Sequence, residues 1–129
     1  MVEISLREVT RWHRMGAATS MVRAVDGVSL EIREREFVAL LGSSGSGKSS
    51  LLNLIAGVDR PAGGAIVVGG RDLAKLSREA LARYRRHDVG VVFQAFHLIP
   101  TLTVAQNVEL PMRFAEVERG ERDRRVREA

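Results

Sequence analysis

The chain has 129 residues, 45% of them hydrophobic, enough for one domain with its own core, and no apolar run nears the roughly 20 residues that span a bilayer. It has no cysteine, which excludes disulfides and thiolate metal sites and fits a cytosolic setting. Its formal charge of +4 comes almost wholly from arginine, but bases alternate with acids, as in Arg33-Glu34-Arg35-Glu36; that pattern reads as a solvated face, not a nucleic-acid footprint.

The first third reads as strands. Val2, Ile4 and Leu6 alternate with polar residues, the pattern of a half-buried strand, and Glu3 and Glu8 make the start unlike a signal peptide. A loop is expected around Gly16, then a second alternating strand from Val25 to Ile32, closed by a charged turn at Glu34-Arg35-Glu36. Phe37 to Leu41 is a continuous apolar run, which predicts a strand buried on both faces. Gly42 to Gly47 is a glycine and serine loop. From Lys48 the period turns helical, with Leu51, Leu52, Leu54 and Ile55 on one face and Gly57 placed to end the helix.

Pro61 and Gly63-Gly64 mark a turn before a strand at Ile66-Val67-Val68. Ser77 is positioned to cap a short helix running to about Arg86. Val89 to Phe93 predicts another apolar strand, ending at Gln94. Thr103 and Gln106 have the spacing of a capping box, and Pro111 should break or kink the helix they start. Charges dominate from Glu118 onward, which predicts a poor isolated helix.

The chemistry concentrates in Gly42-Ser43-Ser44-Gly45-Ser46-Gly47-Lys48-Ser49, a full match to the phosphate-loop pattern, placed between an apolar run and an amphipathic helix. Each part has a physical reason. Glycines let the chain fold tightly, so successive backbone N–H groups converge on phosphate oxygens. The helix start adds its positive dipole end. Lys48 supplies a movable charge for the β- and γ-phosphates, and the Ser49 hydroxyl suits the hard oxygen coordination of Mg²⁺. The competing reading is a flexible serine-glycine turn that precedes a lysine by chance; the flanking strand and helix patterns weigh against it.

Further segments narrow the family. Leu51-Leu52-Asn53-Leu54-Ile55-Ala56-Gly57, the turn at Asp59-Arg60-Pro61, Val91-Val92-Phe93-Gln94, and the stretch from Phe96 to Pro111 together resemble an ABC transporter ATP-binding subunit over the whole chain. The Phe96 to Pro111 segment resembles the subgroup that drives lipoprotein release, macrolide efflux and cell-division export. The resemblance implies an α/β fold, a P-loop NTPase of the ABC type with an N-terminal antiparallel β-subdomain. Residues 1–94 would form that subdomain and the phosphate-loop core; residues 95–129 would hold the glutamine loop and the start of a helical subdomain. The resemblance implies that Gly42, Ser43, Ser44, Gly45, Ser46, Gly47, Lys48, Ser49 and Ser50 wrap the phosphates of ATP. Lys48 and Gln94 would serve catalysis, and Ser49 and Gln94 the Mg²⁺ ion. Trp12 falls where the family stacks an aromatic ring on adenine; as a residue at a strand end it equally suits packing.

The same resemblance implies a transmembrane permease partner, a homodimer of ATP-binding subunits, and a place on the cytoplasmic face of the inner membrane; no nucleic-acid partner is expected. No apolar strand ends in Asp-Glu, no Leu-Ser-Gly-Gly-Gln stretch occurs, and His13, His87 and His97 all precede the place of the family's switch histidine. The expectation is therefore an ATP-binding domain truncated within its helical subdomain and inactive alone. A GTPase is disfavoured because neither Asn53 nor Asn107 is followed by lysine; the strand order does not suit a small-molecule kinase, and the Phe96 to Pro111 segment argues against a DNA-repair ABC protein.

Overall fold

The computed structural model describes residues 2–14 and 21–129. The expected loop at Gly16 lies outside them. The chain divides into two compact units, Met1–Leu81 and Ala82–Ala129.

The first unit is built on an antiparallel sheet. Strands β1 (Val2–Arg14), β2 (Met21–Arg33), β3 (Gly63–Val68) and β4 (Arg71–Asp72) take the order β2-β1-β3-β4. Leu6 pairs with Leu30 on one side and Ile66 on the other. A strand alternates its faces every residue, yet Leu6 and Val9, three positions apart, are both buried. An irregularity between them resets the register. Glu8 takes a positive φ there, its N–H donating to Ser29 Oγ at 2.9 Å while that hydroxyl donates to Glu8 Oε1 at 2.8 Å. Helix α1 (Lys48–Ile55) lies on this sheet, packing against β2 and β3. Its face is narrower than the periodicity implied: Leu51 and Leu54 are buried, Ile55 partly so, and Leu52 is exposed. Gly57, at φ 67°, closes α1 as expected: its N–H donates to the Leu54 carbonyl, and that of Val58 to the Asn53 carbonyl. A 3-10 turn at Leu73–Lys75 follows β4, capped by Asp72.

Helix α2 (Arg78–His87) begins at Ser77, whose hydroxyl accepts the Ala80 N–H. Its Leu81 and Tyr84, one turn apart, are both buried. The second unit also holds α3 (Val104–Phe114) and α4 (Arg119–Glu128), packed together. The capping box forms: Thr103 Oγ1 accepts the Gln106 N–H, and the Gln106 side chain accepts the Thr103 N–H. Pro111 does not break α3. It forgoes one N–H, but the helix runs on to Phe114 and closes with the Ala115 N–H on the Pro111 carbonyl. Helix α4 forms in spite of its composition. Arg124 and Arg125 hold Glu121, and Arg122 pairs with Glu109 of α3 at 2.9 Å.

Two expected strands are absent. Phe37 to Leu41 and Val89 to Phe93 are irregular, and Phe37 and Leu41 are 97% and 90% exposed. Apolar composition favours burial, but a strand also needs neighbours for its N–H and C=O groups. Among the described residues neither segment has a ladder partner.

Candidate functional site

The first unit brings the whole predicted phosphate loop together. Residues 42–47 follow the irregular segment 36–41 and turn into α1, which begins at Lys48 with Gly47 as its N-cap. Gly47 sits at φ 91°, in the left-handed region, and a Cβ there would run into the Ala24 carbonyl oxygen of β2. Only glycine meets both conditions.

The start of α1 is built for an anion. Its first N–H groups have no preceding turn to bond; the Leu51 N–H on the Gly47 carbonyl, at 2.9 Å, is the first helical bond. No side chain caps the N-terminus, and the first turn holds no acid. Those donors and the helix dipole therefore face outward beside Ser49 and Ser50. The Lys48 ammonium folds back over the loop, donating to the Gly42 carbonyl at 2.9 Å, the Ser43 carbonyl at 2.7 Å and Ser46 Oγ at 3.2 Å. Three oxygens thus satisfy its three donors. A phosphate oxygen would exchange for one of them and gain a charge-assisted bond. Uncapped N–H groups and an ammonium that can exchange one of its partners are the donors a triphosphate requires, and the Ser49 hydroxyl oxygen is a ligand a hard cation accepts, so the residues fit ATP with Mg²⁺.

The cavity over this loop measures about 550 Å³ and is lined by Ser44, Gly45, Gly47, Lys48, Ser49 and Ser50, together with Val22, Arg23 and Ala24 of β2. The β2 residues were not singled out in the sequence. Their proximity follows from the sheet register and the Gly47–Ala24 approach, neither of which leaves a motif.

Trp12 lies at the far end of β1, opposite Arg23. Its side chain is 42% exposed, with the Arg23 guanidinium carbon 5.8 Å from the ring centroid. The ring is thus partly open, as stacking on a base would need. The neighbouring Arg11 pairs with Asp59 at 2.6 Å, tying this end of β1 to the turn after α1.

Gln94 belongs to the second unit, where it is exposed on an irregular stretch. Nearby, Phe93 and His97 meet edge to face at 4.8 Å. Residues 98–102 are held to α3 by Asn107, which sequence reasoning also passed over. Its Oδ1 accepts the Ile99 N–H at 2.8 Å, and its Nδ2 donates to the carbonyls of Ile99, Leu102 and Thr103 at 3.2, 3.2 and 3.0 Å. Around it lies an apolar cavity of about 270 Å³, lined by Leu98, Ile99, Pro100, Leu102, Val104 and Val108.

Residues 25–129 match the ABC transporter family. The chain is 46% identical over 123 residues to the macrolide export ATP-binding/permease protein MacB of Sodalis glossinidius, which covers 95% of this chain and 18% of that protein. It is 42% identical over 125 residues to the methionine import ATP-binding protein MetN of Geobacillus kaustophilus, covering 97% of this chain and 36% of the relative. It is also similar to the ATP-binding cassette MJ0796, solved as a dimer in a post-hydrolysis state bound to ADP and Pi. The TM-score there is 0.88 at 39% identity, covering 97% of this chain and 54% of that one.

Proposed function

The chain belongs to the ABC transporter family, and from that membership we propose that it is the nucleotide-binding part of a transport ATPase that drives export through a membrane permease. The observation that carries this reading is the uncapped, acid-free start of α1 beneath the Lys48 ammonium. ATP is the ligand, and the phosphates sit in residues 42–50. Backbone N–H groups hold the phosphate oxygens, Lys48 neutralises charge at the β- and γ-phosphates, and Trp12 carries the adenine. Ser49 would hold a Mg²⁺ ion from the loop, with Gln94 a second ligand or a contact to the attacking water, and the ion would supply positive charge to offset that of the phosphates. Residues 1–94 supply the cradle and residues 95–129 the coupling segment.

The export assignment is supported by MacB, a macrolide export protein by name, among the relatives; MetN is an importer by name. The chain spans about a fifth of MacB and about half of the solved cassette. No helix among the described residues is long and apolar enough to cross a membrane. Passage through the bilayer falls to the permease, with this chain peripheral on the cytoplasmic face. Phe96, Leu98 and Ile99 are exposed beside the apolar cavity at Asn107, which suits a permease docking surface. A homodimer is supported by the dimeric cassette structures. Calorimetry with ATP tests the central claim: Lys48→Ala reduces binding to a trace, and equal affinity in the variant sinks the assignment.

A further inference from the structure

Trp12 and Arg23 face each other across β1 and β2. The Arg23 guanidinium carbon lies 5.8 Å from the Trp12 ring centroid, within cation–π range. Arg23 is also among the residues that line the cavity over the phosphate loop, with Lys48 and Ser49. The next residue of β2, Ala24, abuts Gly47 through its carbonyl. Arg23 is thus one strand step, about 3.3 Å, from the residue that touches the loop. It stands between an aromatic face and a phosphate cradle.

Among the described residues Arg23 also pairs with Asp26, at 3.1 Å, with the two side chains 65% and 59% exposed. An exposed pair of this kind holds its members weakly, so the guanidinium is easily redirected. Arg23 is exposed and takes no part in the core.

We propose that Arg23 binds the α-phosphate of a nucleotide whose base lies on Trp12. This rests on the reading of residues 42–50 as an ATP site. With the base on Trp12 and the terminal phosphates in the loop, the α-phosphate lies between them, beside Arg23. Lys48 is tethered among Gly42, Ser43 and Ser46 and serves the terminal phosphates. The planar guanidinium fork suits a phosphate and still lies flat along an aromatic edge. Arg23 therefore links base recognition to phosphate binding, and its contact is one that ATP and ADP share.

The test is calorimetry on the unaltered chain, Arg23→Gln and Arg23→Lys, each with ATP, ADP and tripolyphosphate. Arg23→Gln weakens ATP and ADP alike by about tenfold, and Arg23→Lys recovers part of the loss. Unchanged ATP affinity in Arg23→Gln shows that the side chain only packs on Trp12, and the proposal falls. A loss for ATP without one for ADP places Arg23 on the γ-phosphate and also overturns it. Two outcomes in the unaltered chain separate this inference from the reading beneath it. If tripolyphosphate binds as tightly as ATP, the loop reading stands but the base does not lie on Trp12, and the inference fails with that placement. If neither binds, the loop reading fails and takes the inference with it.

Discussion

Asn107→Ala removes a side chain that makes four hydrogen bonds to the segment before α3. The magnitude follows from counting what replaces them. Asn107 is partly exposed, so water recovers some of the lost bonding. One accepted bond and the equivalent of one or two donated ones, each with a net worth of about 1 kcal/mol, put the loss near 2 kcal/mol. That corresponds to roughly a thirtyfold rise in the open population of residues 98–102. Hydrogen exchange reads it directly, because the Ile99 N–H donates to Asn107 Oδ1 at 2.8 Å. Exchange at Ile99 should speed up by about that factor, with ATP affinity unchanged. Asn107→Asp keeps the acceptor and loses the donors, so Ile99 should retain part of its protection. Equal exchange at Ile99 in the unaltered chain and in Asn107→Ala would refute the reasoning, since the side chain would then not hold the segment.

Gly47→Ala places a Cβ against the Ala24 carbonyl in a left-handed backbone position, so it costs more than the roughly 1 kcal/mol of the conformation alone and weakens ATP binding at least tenfold; wild-type affinity would show that the β2–loop contact does not shape the cradle. Leu98→Glu should leave ATP binding intact and abolish co-purification with the permease, and retained co-purification would remove residues 96–102 from the docking surface. Hydrogen bonds from Arg124 and then Arg125 lower the Glu121 carboxyl from 4.5 to about 2. A carboxylate lowered in the folded state stabilises above its unfolded value and loses that contribution as pH falls through its folded value. Order in α4 should therefore decline between about pH 4.5 and pH 2, followed by NMR of α4 amides, and Glu121→Gln should flatten that dependence.

The phosphate loop was legible in the sequence because its chemistry is local. Tight turning, an uncapped helix start and a lysine all depend on residues adjacent in the chain, so the turn before α1 and the Lys48 contact with Gly42 follow from local sequence. The helix ends at Ser77, Thr103 and Gly57 were legible for the same reason, since each cap bonds within a few residues. Pairing is not local. The bulge at Glu8 that turns both Leu6 and Val9 inward leaves no trace in residue periodicity. The placement of Trp12 opposite Arg23 follows four register shifts, at Val2/Ile4, Leu6/Val9, Val9/Arg11 and Arg11/Trp12. Phe37 to Leu41 and Val89 to Phe93 were read as strands from composition, but a strand exists only where a neighbour supplies hydrogen bonds, and hydrophobicity cannot specify that neighbour. Sequence determined which residues form the glycine-serine turn and the uncapped start of α1. Tertiary structure alone decided which strand lies beside them, because that depends on long-range pairing between residues the chain keeps far apart.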